Sequence, residues 1–400
     1  MEEKMMTAEQ WKEQDKQYIA GTYARFPIIA EKGEGAVLTD IDGKQYIDLG
    51  AGIGVTAFGY LDPEWKKAVL EQLEKIQHTS NLYYTQPCIT LAKMLCERTG
   101  MSKVFFSNSG AEANECAIKA ARKYAVQKKG AEYTTIITLK ESFHGRTLTT
   151  LAATGQVHYH EQFQPLTTGF VHGDASDIEQ VKELIRNEKV AGILLECVQG
   201  EGGVNVLDKE FVQEIARICA QEDIVLLIDE VQTGNGRTGK LYSYMHYGIK
   251  PDVVSTAKGL GGGLPIGATM LSEKLQDVFA PGDNGSTFGA NPVICAGAVS
   301  IISRLDDDFL EQVVKKGDMI RAFLCDKPGI LGVDGLGMMI GVRTERKAIN
   351  IVKEGMEAGI LCLTAKDKVR LLPPLNIPEA DLKRGLEILA EICGRTDKND

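Results

Sequence analysis

Between Val104 and Leu271, short apolar and β-branched runs alternate with segments of helical periodicity, an order that few architectures satisfy. The strand-like runs are 104–106, 135–139, 192–198, 224–228, 253–256 and 267–271, and helical patterns cover 111–126, 178–186 and 210–220. A helix between successive strands carries the chain back to begin the next strand in the same direction. The alternation therefore predicts an α/β fold, a large domain with a mostly parallel sheet sandwiched by helices. Strands that are apolar at nearly every position fit this, because both of their faces are covered.

The flanking regions read differently. Residues 9–18 form a polar helical stretch, and Gly35–Asp48 reads as a β-hairpin turning at Asp42-Gly43, a dipeptide that accepts positive φ. A glycine-rich loop at 50–54 follows, and Asp62-Pro63 opens a helix with Trp65, Val69, Leu73 and Ile76 along one face. Beyond residue 300, strand-like segments at 338–343, 360–363 and 369–372 mix with helices over 347–358 and 379–393, a smaller α+β domain. Single cores stop growing at about 250–300 residues, so a chain of 400 is expected to divide. The expected parts are an N-terminal segment (1–60) packing with the small domain, a large domain (61–300) and the C-terminal small domain (301–400).

A formal charge of −10 with no basic block argues against a nucleic-acid partner. No apolar run approaches the ~20 residues that span a bilayer. The start, Met1-Glu2-Glu3-Lys4-Met5-Met6-Thr7, lacks the basic-then-apolar order of a secretion signal. None of the nine cysteines falls in a Cys-x-x-Cys pair, so no metal site is expected. Cys88, Cys96, Cys116, Cys219 and Cys393 lie in helical patterns and read as small core residues of a reducing cytoplasm.

Two strand-like runs end in chemistry. Val225–Ile228 runs into Asp229, and Val253–Ala257 into Lys258, followed by Gly259-Leu260-Gly261-Gly262-Gly263-Leu264-Pro265. Open α/β sheets place ligands at such carboxyl ends. A lysine fed by an apolar strand and followed by glycines loses hydration, which lowers its pKa and frees its amine as a nucleophile. An acid on a nearby strand end is what a protonated pyridine nitrogen needs, and together they suggest a Schiff-base lysine for pyridoxal 5'-phosphate (PLP). A nucleotide-hydrolase loop would end in Gly-Lys-Ser/Thr, whereas here the lysine comes first. A lone lysine at a strand exit would ordinarily lie at the surface, and only the company of Asp229 and the motifs below reverses that.

Val104–Glu115 reads as a strand, a tight turn and a helix start, where unpaired N–H groups hold phosphate; equally, Ser109 and Glu112 spell a capping box that needs no ligand. Phe143-His144-Gly145-Arg146 places a ring able to stack on a flat cofactor beside a guanidinium able to grip a carboxylate, though singly Phe143 fits a core and Arg146 a surface. His144 could act as a base, but the amine of Lys258 makes a separate base unnecessary. Glu196 and Glu201 bracket a glycine-rich strand end, either solvated or paired with a cation in a cleft. Arg370, in an apolar run, requires an anion, from substrate or from a structural carboxylate.

In order, Asn108–Glu115, Phe143–Arg146, Gln199–Gly203, Ile228–Gly234, Ala257–Pro265 and Gly285–Gly289 resemble the class III aminotransferases of PLP fold type I, and the resemblance runs from Tyr23 to Pro374. It implies that Lys258 binds PLP covalently, that Asp229 pairs with the ring nitrogen, that Phe143 stacks on the ring and that Gln232 approaches the ring hydroxyl. Ser109, Gly110 and Ala111 would hold the phosphate, with Thr287 supplied by a second subunit, so the implied assembly is a homodimer with shared active sites. Arg146 would hold the α-carboxylate of N-acetylornithine and the distal carboxylate of 2-oxoglutarate, with Ser286 among the substrate-binding residues. Arg370 would hold the keto acid's α-carboxylate, neutralised by Glu201 when the other substrate is bound. The implied reaction is transamination between these two substrates in arginine biosynthesis. Succinylornithine, N-succinyl-diaminopimelate, ornithine or 4-aminobutyrate are alternative donors, and an aminomutase or a non-catalytic PLP-binding protein are rivals of other kinds. The chain departs from the family pattern at Ala111 (often threonine), Cys197 (usually proline) and Lys366-Asp367-Lys368 (often with a glycine). Histidine at 144 fits the acetylornithine branch, where the ornithine branch has tryptophan.

Overall fold

The computed structural model describes residues 6–396, so the opening Met1–Met5 of the start lies outside the described residues. Its centre is a seven-stranded sheet in the order Lys103–Ser107, Gly267–Leu271, Val253–Thr256, Val225–Glu230, Val190–Leu195, Thr135–Leu139 and Phe170–Gly173. Gly267–Leu271 runs antiparallel to both neighbours, and the other pairings are parallel. Every residue of Val190–Leu195 and Val225–Glu230 is buried, and their side chains divide between two different cores. Val225 and Leu227 pack with the alanine-rich face of helix Gly110–Lys129, whereas Leu226 and Ile228 pack with Val212 and Ile215 of helix Lys209–Gln221. The sheet is thus covered on both sides, as its uninterrupted apolar strands require.

Two smaller sheets lie beside it. Ile330–Leu336, Met339–Thr344, Lys368–Leu371 and Leu363–Ala365 form an antiparallel sheet in that order. The predicted hairpin pairs Val37–Asp40 with Gln45–Asp48, is extended by Ala30–Glu34, and joins Ile360–Leu361 in parallel through Ile47 and Ile360. This pairing fastens the start of the chain to its last quarter.

Several local expectations change. The glycine-rich loop at 50–54 coils into a tight turn, Ala51–Gly54, with Gly52 and Ile53 at positive φ. The helix opened by Asp62, whose carboxylate accepts from the Trp65 N–H, ends at Leu73, so Ile76 lies beyond it; Leu73 and Ile76 are exposed rather than buried. Trp65 instead turns inward, its indole N–H donating to the Gly261 carbonyl at 3.0 Å and bracing the glycine loop after Lys258. Strands Phe170–Gly173 and Ile330–Leu336 are additions to the sequence reading.

Candidate active site

The carboxyl ends of the central parallel strands open onto a cavity of about 630 Å³ whose walls include Asn108, Ser109, Gly110, Ala111, Phe143, His144, Arg146, Glu196, Asp229, Gln232 and Lys258. The two chemistry-bearing strand ends share this cavity because Val225–Glu230 and Val253–Thr256 are adjacent, with Asp229 level with Ser255. Lys258 takes φ +44, a left-handed value that costs a side-chain-bearing residue on the order of 1–3 kcal/mol. It is half-buried and lines the cavity. Burial is the main cause lowering its pKa below the ordinary lysine value. Glu201 opposes this, the Arg370 cation adds to it, and Asp229 and Glu196 oppose it further.

Asp229 is 3 % exposed and held from three sides. Its Oδ2 accepts from Asn114 Nδ2 at 2.7 Å and from His144 Nδ1 at 2.8 Å, and its Oδ1 accepts from the Val231 N–H at 2.9 Å. An ionised carboxylate only accepts, so His144 presents its N–H to Asp229, and its role is to orient that acid. The opposite nitrogen, Nε2, is buried without a partner among the described residues. Asn114 is fixed in turn by the hydroxyl of Ser255 and by its donation to the His144 carbonyl. Glu196 receives the Phe143 N–H at 3.0 Å. Burial, and then the charge of Asp229, push its pKa well above the ordinary carboxylate range.

Ser109 caps helix Gly110–Lys129, its Oγ accepting the Glu112 N–H at 3.2 Å. The return half of the expected box is shifted by one residue, since the Glu112 carboxylate takes the Asn108 N–H. The cap leaves the first-turn N–H groups of Gly110 and Ala111, which no helical carbonyl can reach. A Cβ at Gly110 would lie 2.6 Å from Val231 Cγ1, so a glycine is what lets this helix start sit against the chain just past Asp229.

Behind Gln232, which lines the cavity, Arg370, 3 % exposed, meets Glu201 at 2.6 Å and donates to Gln232 Oε1 and the Gly200 carbonyl; Gln232 Nε2 in turn reaches Glu201 at 3.1 Å. Burial raises the pKa of Glu201, but the charge and hydrogen bond of Arg370 outweigh it and the net direction is down. Arg146 is exposed, its guanidinium carbon 4.2 Å from the ring centre of Tyr159 and 5.6 Å from that of Phe143. Ser286 stands next to this wall, accepting from Asn108 Nδ2, while Thr287 is exposed and does not line the cavity. The Lys366-Asp367-Lys368 turn ties the neighbouring sheet on: Lys366 pairs with Glu141, and Lys368 with Asp334 at 2.9 Å and Asn205 at 3.3 Å. Asn114, Ser255 and Tyr159 carry no sequence signal of their own, because only the fold brings them to Asp229 and Arg146.

The residues present fit PLP. A buried amine of lowered pKa, a carboxylate with acceptor capacity to spare and a helix start lacking carbonyl partners face one cavity, matching an aldehyde, a pyridinium and a phosphate. This is the layout of the PLP aminotransferase fold, a mixed sheet flanked by helices with the lysine at a strand end. The chain belongs to the class-III aminotransferases, whose family model, described as Aminotransferase class-III, matches residues 18–393. It is 49% identical over 389 residues to the acetylornithine aminotransferase of Haemophilus ducreyi, covering 97% of this chain and 99% of that one. It is 44% identical over 395 residues to that of Methanocaldococcus jannaschii, covering 97% and 98%. Among solved structures it resembles the ornithine aminotransferase of Toxoplasma gondii, with TM-score 0.93 and 30% identity over 98% of this chain and 96% of that one. It also resembles the acetylornithine aminotransferase of Elizabethkingia anophelis, with TM-score 0.86 and 29% identity over 97% and 99%.

Proposed function

We propose that this chain transfers the δ-amino group of N2-acetyl-L-ornithine to 2-oxoglutarate, giving N-acetyl-L-glutamate 5-semialdehyde and L-glutamate, as a cytoplasmic step of arginine biosynthesis. The observation that carries the reading is the neutralised arginine, Arg370 against Glu201 and Gln232, joined through Gln232 to the cavity of Lys258 and Asp229. Two unlike substrates, one with a carboxylate beside its reacting carbon and one without, require a cation that can be unmasked for the first and masked for the second.

PLP, when bound, supplies an electron-withdrawing ring that stabilises negative charge on the substrate carbon. Lys258 Nζ would hold it covalently; Ser109 and the N–H groups of Gly110 and Ala111 would take its phosphate; Phe143 would cover its face, Gln232 its hydroxyl and Asp229 its ring nitrogen. Lys258 Nζ, of lowered pKa, would take the proton from the reacting carbon of the donor and deliver it to the cofactor carbon that carries the transferred nitrogen. Arg146 grips the donor's α-carboxylate and the distal carboxylate of 2-oxoglutarate, with Ser286 beside it. Arg370 swaps Glu201 for the α-carboxylate of the keto acid.

The reading includes a homodimer. Leu82, Tyr83 and Tyr84 are exposed at 85%, 71% and 97%, and their loop is sewn to the segment of Thr287 by Asn81, which donates to the carbonyls of Ser286 and Gly289. An apolar patch continuous with Thr287 suits a second copy that receives this threonine at its phosphate site. The proposed division is 1–60, 61–300 and 301–400, the last joint falling within the final turn of helix Pro292–Ser303.

Absorbance spectra of the PLP-loaded protein, taken with N-acetylornithine alone and then with 2-oxoglutarate, test the reading. The visible band should shift with the first and return with the second, at lower concentrations of N-acetylornithine than of ornithine. A clear preference for unacylated ornithine, the reaction named for the T. gondii protein, would replace the donor assigned above. Lys258→Ala should abolish the band's response and turnover.

A further inference from the structure

We infer that Tyr159 is a positioning residue for the carboxylate grip of Arg146, an inference that rests on the role proposed above for that arginine. The guanidinium of Arg146 lies over the Tyr159 ring, 4.2 Å from its centre. No carboxylate pairs with Arg146 among the described residues. Stacking occupies the face of a guanidinium and leaves its N–H edges free in the plane, which is the orientation a carboxylate needs for two parallel hydrogen bonds. An ion-paired arginine would have to exchange one anion for another, whereas a stacked one is held in place and still unspent. The other arginine assigned to a substrate carboxylate, Arg370, is held in the opposite manner, by Glu201.

The ring is itself fixed to the loop it serves. Tyr159 sits in a short turn, Val157–Tyr159, just after helix Leu148–Ala153. His160 Nε2 lies 2.9 Å from the Leu151 carbonyl and 2.8 Å from that of Thr154; both partners only accept, so this nitrogen carries the proton and clamps the turn to the helix end. Three further bonds join the turn to the residues just before Phe143: Gln156 Nε2 to the Ser142 carbonyl, the Gly155 N–H to Ser142 Oγ, and the Glu141 N–H to the Gly155 carbonyl. Tyr159 also meets Phe143 edge to face, with centroids 5.9 Å apart at 72°. One ring therefore braces both the residue assigned to the cofactor face and the one assigned to the substrate carboxylate. Its hydroxyl has no protein partner among the described residues, so the ring and not the phenol carries the role.

The test uses the PLP-loaded enzyme and four variants: Tyr159→Leu, Tyr159→Phe, Arg146→Ala and the double variant Arg146→Ala/Tyr159→Leu. Tyr159→Leu should raise KM for both N-acetylornithine and 2-oxoglutarate, by about three- to thirtyfold each, with a smaller fall in kcat. Tyr159→Phe should restore both KM values, because the stacking face returns. In the Arg146→Ala background, Tyr159→Leu should add nothing further, since its effect passes through the arginine. If Arg146→Ala raises both KM values but Tyr159→Leu leaves them unchanged, adds in full to Arg146→Ala, or lowers kcat alone, the inference about Tyr159 is overturned while the role of Arg146 stands. If Arg146→Ala itself leaves both KM values unchanged, the role of Arg146 falls and the inference goes with it.

Discussion

At the scale of single residues, the cavity separates an acid that must stay charged from one that must be released. Asp229 receives three donors, the Asn114 amide, the His144 ring N–H and the Val231 N–H, which hold the carboxylate in place. Asp229→Asn keeps the shape but removes a charge-assisted acceptor worth about 1.5–3 kcal/mol, and steady-state assays should show turnover falling roughly ten- to a hundredfold with folding intact by circular dichroism. Glu201, by contrast, is tied to a partner it must give up. In Arg370→Ala the half-reaction with 2-oxoglutarate should weaken about ten- to a hundredfold in apparent affinity while that with the amino donor changes little; equal losses in both would argue against the exchange. Lys258 and Asp229 were legible as polar residues ending apolar runs, Arg370 as a cation inside one, and Glu201 as an acid in a glycine-rich turn. Asn114 and Tyr159 were not, since a buried amide one turn into a helix and a tyrosine in a loop look ordinary until distant segments meet.

At the scale of elements, the interior strands declared themselves by their uninterrupted Val, Ile and Leu, and two of the helices by caps, Asp62 and Ser109. Phe170–Gly173 was hidden because an edge strand, bonded on one side only, needs no long apolar run. Ile330–Leu336 was hidden by its two glycines and an aspartate, which break period-two alternation. The edge strand also carries a titrating group. Burial, and then the nearby His160, lower His172 from the ordinary 6.5 to about 4. Because its folded pKa is depressed, the unfolded chain binds the proton more readily. Stability is therefore unaffected above the unfolded value, falls as pH drops from about 6.5 to 4, and loses at most about 3 kcal/mol. Urea midpoints measured between about pH 7.5 and pH 4.5 should drop less in His172→Gln than in the parent protein.

At the scale of the whole molecule, the exposed loop of Leu82–Tyr84 and the exposed Thr287 make sense as one surface. Introducing charge there, as in Leu82→Asp/Tyr84→Asp, should shift sedimentation toward the monomer and lower activity in parallel, and dilution of the parent protein should reproduce both effects. Nothing in the sequence of that loop distinguishes an interface from a core, because both are apolar, and only the finished fold shows which side chains remain uncovered. The single reversed strand, Gly267–Leu271, carries a different consequence. It is the partner of Val253–Thr256, so both ends of the loop bearing Lys258 are anchored in the interior of the sheet, away from either edge. The ends of the loop cannot part from the sheet without opening the centre of the protein. Amides of these two strands should then be among the slowest to exchange with deuterium, and heating should release the bound chromophore only when the whole chain melts.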